Sequence, residues 1–262
     1  MPTADARIDE FARFAEDLLR ESGELILHYF GKPLHVRLKA DRSPVTVADR
    51  DAEALLRARI QARYPGHQVL GEEQGTSGAE NAHLQWVLDP IDGTKAFVRG
   101  VPLFGTLIGL LERGRPILGA IHLPATGELL LGAQGRPTRL NGEPVHVSDV
   151  TELERAAVML TCPDSIFETG HGAAFHALRA RAELVRGWGD CYGHFLVATG
   201  RAEVMLDPVM NLWDIAALKP CVEGAGGRLT DFAGNGEHLG TSALSTNGAL
   251  HQTVLEILGT DR

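Results

Sequence analysis

"WVLDPIDGTKAF", Trp86–Phe97, runs from an apolar stretch into two acids, Asp89 and Asp92, set around a proline, and then into Gly-Thr. An apolar run ending in Asp-Pro reads as a buried strand that stops at the edge of a sheet. Pro90 restrains Asp89 to extended geometry, so Asp89 and Asp92 are not ordinary neighbours on a helix face. Two carboxylates at one strand end are expected to converge on something, and the rest of the chain must say what.

With 262 residues the chain is long enough for one large domain or two small ones, and 44% hydrophobic residues give it the composition of an ordinary globular protein. A formal charge of -9, without a Lys/Arg-rich patch interleaved with aromatics, excludes a nucleic-acid binder held by phosphate contacts. A small anionic substrate would then need metal ions. Cys162, Cys191 and Cys221 are odd in number and too widely spaced for a zinc knuckle or redox pair, so reduced, mostly buried thiols are expected. The opening "MPTADARIDEFARFAEDLLR" alternates acids and bases in an amphipathic pattern, unlike a signal peptide or basic transit sequence. No apolar run reaches membrane-spanning length, and the expected location is the cytoplasm.

Ile8, Phe11, Ala12, Ala15, Leu18 and Leu19 recur at helical spacing, with Leu25, Ile26 and Tyr29 continuing the stripe to "GKP". A second helix should begin at "TVAD", Thr46 capping and Asp49 closing a capping box, with Ala52, Leu55, Leu56 and Ile60 as its buried face. Strand patterns follow: "QVLG", "WVLD", "TLIGLLERGRPILGAIHL" with a turn at "ERGRP", "ELLLGA" and "PVHVS". Beyond about Val150, "AAVMLT", "CYGHFLVATG", "AEVMLD", "DIAALKPCVEGAGG", "RLTDF" and "TVLEILG" alternate strands with helices, the pattern of a layered α/β half. No repeat or long linker intervenes. A soft boundary between Val145 and Thr151 divides an N-terminal α+β part, 1–147, from a C-terminal α/β part, 148–262.

Acids stand where these elements end or begin: Glu72 and Glu73 after "QVLG", Asp89 and Asp92, and Asp214 in "LWDIAAL". Any one of them alone reads as a helix cap or turn former. Gathered together they would repel one another unless a cation sat among them. With no His or Cys at ligand spacing nearby, an all-oxygen set favours a hard cation, magnesium above all. With a backbone carbonyl such as that of Ile91, the set could hold two metals roughly 3.5–4 Å apart, as in in-line attack on phosphate. Gly93 permits close backbone approach, a helix starting there could hold phosphate oxygens, and the Thr94 hydroxyl could orient a water with Glu72 as its proton acceptor. Nucleophilic alternatives are poor: there is no G-x-S-x-G elbow or P-loop, and Cys191 lacks an activating partner in sequence. His171, His176 and His194 read as surface or packing residues.

"GEE" at 71–73, "WVLDPIDGTKAF" and "LWDIAALKPCVEGAGG" at 212–227 resemble, in order and spacing, the three signatures of the inositol monophosphatase family of magnesium-dependent, lithium-sensitive phosphatases. The resemblance covers essentially the whole chain and implies a five-layer αβαβα sandwich of the α/β class. It implies metal ligation of two or three magnesium ions by Glu72, Asp89, the Ile91 carbonyl, Asp92 and Asp214, the last also closing the substrate site. Phosphate contacts fall on Gly93 and Thr94, and Asp49 resembles the acid that supports the water-activating threonine. Lys39 resembles the mobile-loop lysine near a third metal. A homodimer acting on a small phosphate monoester is the implied assembly.

"RGWGDCYGHFLVATGRAEVMLDPVMNLWD", 186–214, and "KAFVRGVPLFGTLIGL", 95–110, resemble the histidinol-phosphate phosphatase branch, where inositol enzymes carry small residues at the position of Asp190. Histidinol bears an ammonium and an imidazole, and Asp190 and Asp207 are two acids suited to them. Asp190 could instead cap the helix that follows it. The expected function is hydrolysis of L-histidinol phosphate in histidine biosynthesis. Rival readings are phosphatases of inositol phosphate, a sugar bisphosphate or 3'-phosphoadenosine 5'-phosphate, and an idle scaffold or regulatory partner that keeps only the fold.

Overall fold

The computed structural model describes residues 4–39, 43–237 and 240–259. The first apolar stripe forms helix α1 (Ala4–Tyr29), burying Phe11, Ala15, Leu18, Leu19 and Ile26. A hairpin of β1 (Arg37–Leu38) and β2 (Pro44–Val45) leads into α2 (Val47–Arg63). That helix starts as its sequence predicts: the Thr46 side chain and the Asp49 carboxylate satisfy each other's backbone N–H groups in a capping box. None of these helices, nor any other among the described residues, is long and apolar enough to cross a membrane.

The strands then come in quick succession: β3 (Gln68–Gly71), β4 (Gly75–Gly78), β5 (Leu84–Asp92), β6 (Gly105–Glu112), β7 (Arg115–Leu123), β8 (Glu128–Ala133), β9 (Arg139–Leu140) and β10 (Glu143–Pro144), with the one-turn α3 (Thr94–Phe97) after β5. Among the described residues they form one eight-stranded sheet in the order β10-β9-β8-β7-β6-β5-β3-β4, antiparallel except where β3 lies parallel to β5. Both faces are covered, which is why β5, β6 and β7 are almost continuously apolar. Trp86, Leu88, Ile108, Leu110, Leu118 and Ala120 face α1 and α2. Leu107, Ile121, Leu123 and Leu130 face the opposite way.

The rest of the chain supplies β11 (Ala157–Leu160), α4 (Pro163–Glu168), α5 (Gly172–Arg181), β12 (Leu184–Arg186), α6 (Asp190–Ala198), β13 (Val204–Asp207), α7 (Leu212–Ile215), α8 (Leu218–Gly224), β14 (Arg228–Thr230), β15 (Ala243–Thr246) and α9 (His251–Leu258). Here the described strands make a five-stranded sheet, β12-β11-β13-β15-β14, with β11 parallel to its neighbours and β15 antiparallel to its own. Alternation along the strands sorts the core: Val158, Leu160, Val204 and Leu206 pack with Phe175, Leu178, Val254 and Leu258 of α5 and α9. Met159 and Met205 turn instead to Leu196 and Val197 of α6. The layers therefore run α1/α2, larger sheet, α6/α7/α8, smaller sheet, α4/α5/α9, a five-layer αβαβα sandwich.

Two local expectations change. The strand through "WVLD" does not stop at Asp89 but continues through Pro90 to Asp92, with a register shift against β6 between the two acids. A proline has no N–H for the ladder, so it is tolerated where the ladder is already broken. "PVHVS" is a strand only at Pro144, because pairing with β9 ends there and the following residues cross toward the smaller sheet.

A row of glycines brings the halves together. Gly109, Gly119 and Gly132 lie side by side on β6, β7 and β8. Added Cβ atoms would reach Ala216 Cβ at 2.8 Å, the Ala217 carbonyl at 2.0 Å and the Pro220 carbonyl at 2.3 Å. The α7–α8 segment thus lies in a furrow that any larger residue would fill.

Candidate active site

Parallel pairing of β3 and β5 sets Gly71 beside Leu88, so the residues that follow, Glu72 and Asp89, come to the same end of the sheet, Glu72 just past β3 and Asp89 still within β5. The bulge after Asp89 turns Asp92 to that end as well. Asp214 arrives from α7, where a capping box fixes it: Asn211 N–H donates to its Oδ2 at 2.6 Å. Carboxylate oxygens of Asp89, Asp92 and Asp214 all lie within 4.8 Å of one another. Asp89 is 2% exposed, and its Oδ1 has no hydrogen-bond partner among the described residues. Burial first, and then the charges of Glu72, Asp92 and Asp214, push the Asp89 carboxyl well above the ordinary range. Asp92 is raised in the same way by burial and by Asp190 and Asp214, although it accepts the Cys191 N–H.

This donor set fits a hard cation. It consists wholly of oxygens, it is too crowded to stay ionised alone, and it holds a buried oxygen, Asp89 Oδ1, without a hydrogen-bond partner among the described residues. The Ile91 carbonyl stands between the two strand acids and accepts a hydrogen bond from Thr94 Oγ1 at 2.9 Å. Thr94 Oγ1 is also 3.5 Å from Asp49 Oδ1, while Asp49 Oδ2 is held by the Thr46 N–H and hydroxyl. Gly93 precedes α3 with φ 82°, and a Cβ there would press on the Leu103 carbonyl at 2.9 Å, so only glycine suits the turn.

Glu72 is held from outside the triad, by Lys39 Nζ at 2.7 Å, and the same ammonium reaches Glu73 at 2.5 Å. Lys39 therefore lies on the acids of the site, where the resemblance put a loop lysine. Sequence reasoning missed what stiffens this turn: Glu53, fully buried on α2, accepts the N–H groups of Glu73 at 2.7 Å and Gln74 at 3.0 Å. Arg57 Nε neutralises it at 2.7 Å. The Glu53–Arg57 spacing on a buried helix face was the available signal.

Beside the triad a cavity of about 170 Å³ is lined by Asp92, Thr161, Asp190, Cys191, Asp207 and Asp214, with Val209 and Met210. Both expected specificity acids are present in its wall. Asp190 does not cap α6: the cap position is Gly189, with no side-chain cap bond, and Asp190 itself has φ 51°. Burial raises its carboxyl, opposed by Lys95. Burial pushes Asp207 up to about 8 against the lowering effect of its bond from Thr161. Thr161 was not anticipated. Cys191 and Cys221 are buried and Cys162 half-buried, all free thiols. His194 is a core residue, its Nδ1 2.7 Å from Ser245 Oγ, while His176 is exposed and His171 packs edge-on against Phe232.

Strand-end carboxylates gathered at one edge of an αβαβα sandwich make a site suited to a hard cation. Residues 7–259 match the Inositol monophosphatase family, and the chain belongs to that family. It is 42% identical to a histidinol-phosphatase of Chlorobaculum parvum, over 94% of this chain and 96% of that one. It is 40% identical to a histidinol-phosphatase of Mycobacterium tuberculosis, over 85% and 87% of the two chains. The solved structure of an inositol monophosphatase from Zymomonas mobilis superposes with a TM-score of 0.85 at 34% identity, over 99% of each chain. The chain is accordingly a phosphoric monoester hydrolase.

Proposed function

We propose that this protein hydrolyses L-histidinol phosphate to L-histidinol and phosphate in the cytoplasm, a step of histidine biosynthesis, using magnesium held by Glu72, Asp89, the Ile91 carbonyl, Asp92 and Asp214. The observation that carries the substrate is the pair of acids, half-buried Asp190 and buried Asp207, in the cavity wall beside the triad. A neutral polyol offers two partly desolvated carboxylates only hydroxyl hydrogen bonds, whereas an ammonium and an imidazolium also neutralise their charge. The relatives named for histidinol phosphate support the same reading.

When bound, magnesium supplies positive charge against the phosphate oxygens and lowers the cost of ionising the attacking water. The chain's own groups do the rest. Thr94 orients the water through its hydroxyl, Asp49 stands behind that hydroxyl, and Glu72 accepts the proton. Backbone N–H groups at Gly93 and Thr94 hold the phosphate oxygens, and Asp190 and Asp207 take the cationic end of the leaving alcohol.

The deciding assay is a panel of histidinol phosphate, inositol 1-phosphate, fructose 1,6-bisphosphate and 3'-phosphoadenosine 5'-phosphate, each with magnesium and with chelator. Histidinol phosphate should give the highest kcat/KM, and chelation should abolish turnover on every ester. A preference for inositol 1-phosphate overturns the substrate, and turnover that survives exhaustive chelation overturns the metal mechanism.

A further inference from the structure

Thr161 stands at the C-terminal end of β11, where three segments of the substrate cavity meet. Its hydroxyl donates to Asp207 Oδ2 at 2.6 Å. The same oxygen accepts the Asp190 N–H at 2.8 Å. One hydroxyl thus ties the end of β13 to the start of α6. The chain before α6 is moulded to it as well: a Cβ on Gly189 would meet Thr161 Cα at 2.1 Å and Oγ1 at 2.6 Å. Asp190 adopts φ 51°, a conformation that non-glycine residues seldom take, and its N–H bond to Thr161 is made from that conformation. Thr161 lines the cavity with both acids.

We propose that Thr161 is the positioning residue for specificity: by holding Asp190 and Asp207 through one shared oxygen, it fixes the spacing at which the two carboxylates receive a leaving group with two basic nitrogens. This inference rests on the histidinol phosphate reading above. The hydrogen-bond direction supports it. A threonine has one proton to give, and with the Asp190 N–H already donating to the oxygen, that proton goes to Asp207. Asp207, which also accepts the Val209 backbone N–H, keeps acceptor capacity beyond these two donors for a ligand, and the Asp190 carboxylate, which the backbone bond does not use, stays available too. The position reads the alcohol rather than the phosphate: the Thr161 hydroxyl bonds no acid of the triad, and Asp214, from the far segment, is held by Asn211 instead.

The test compares wild type, Thr161→Val and Thr161→Ser on histidinol phosphate and on an aryl phosphate, with magnesium affinity measured by calorimetry. Valine keeps the branched shape and removes the hydroxyl. KM for histidinol phosphate should rise roughly tenfold, the scale of losing a hydrogen bond to a charged group, with kcat within about twofold. Aryl phosphate kinetics and magnesium affinity should hold at wild-type values, and serine should restore the lost KM. An equal rise of KM on both esters, a weakened metal, or a serine variant as poor as valine overturns the role of Thr161. A wild type without preference for histidinol phosphate overturns instead the substrate reading on which it rests, so the two failures are told apart by the wild-type arm alone.

Discussion

Asp92 shows most clearly what the site costs the fold. Its carboxyl lies beside Asp89, Asp190 and Asp214, and burial first, then the charges of Asp190 and Asp214, raise it well above the ordinary carboxylate range. In the metal-free protein, the folded state therefore binds more protons than the unfolded chain between the ordinary carboxylate pKa and the raised one. Stability without metal rises as pH falls through that window and is lower at neutrality, the opposite of a salt-bridged acid. Asp92→Asn removes one charge and keeps an oxygen to accept the Cys191 N–H. The metal-free variant should melt above metal-free wild type at neutral pH, by roughly 2–4 °C for each kcal/mol of repulsion relieved, yet show no turnover with magnesium. Scanning calorimetry in chelator decides it, and a variant melting below wild type would mean that the carboxylate stabilises the fold by some other contact. Residues of this kind were legible in the sequence because their chemistry and position coincide: an acid at a strand end has few bland uses once several share an edge.

Helix α2 works as a bracket, and its polar stripe was only partly legible. Asp49, Glu53 and Arg57 succeed one another at a spacing of four, all buried. Asp49 reaches toward Thr94, Glu53 takes the N–H groups after Glu72, and Arg57 donates to Ser77 Oγ at 2.7 Å and to the Gly75 carbonyl. The helix start was readable because a capping box is local, and Asp49 was found through it. Glu53 and Arg57 were not, because their partners lie on a turn that only tertiary folding brings near. Short β4 and β15, with little apolar alternation in "GTSG" and "ALST", escaped for a related reason: their pairing partners, not their own patterns, make them strands. Glu53→Gln leaves Arg57 buried without its counter-charge and should lower unfolding free energy by about 3–5 kcal/mol. By loosening the Glu72 turn it should also raise the magnesium needed for half-maximal activity. Denaturant titration and metal activation curves test both; a loss of stability with an unchanged metal requirement would confine Glu53 to the scaffold.

Across the whole molecule, the proposed metal site depends on how the two halves of the chain are joined, since Asp89 and Asp92 belong to the larger sheet and Asp214 to the segment lying on its glycine furrow. The row Gly109, Gly119 and Gly132 lets backbone meet backbone, and Cys221 Sγ donates to the Gly119 carbonyl at 3.2 Å. Thr138 Oγ1 adds a bond to the Cys221 carbonyl at 2.8 Å. Asp214 stands just before Ala216 and Ala217, so the depth of the furrow sets how far its carboxylate reaches toward Asp89. Gly109→Ala would set a new methyl 2.8 Å from Ala216 Cβ, and overpacking of this sort costs about 1–3 kcal/mol. The variant should bind magnesium more weakly and lose kcat while leaving the far-ultraviolet circular dichroism unchanged, because the segment can lift without unfolding. Adding Ala216→Gly removes the facing methyl and should recover most of the magnesium affinity, measured by calorimetry. Failure of the second substitution to recover it would show that the furrow fixes stability alone, and that Asp214 finds its place through the Asn211 capping box without help from the sheet beneath.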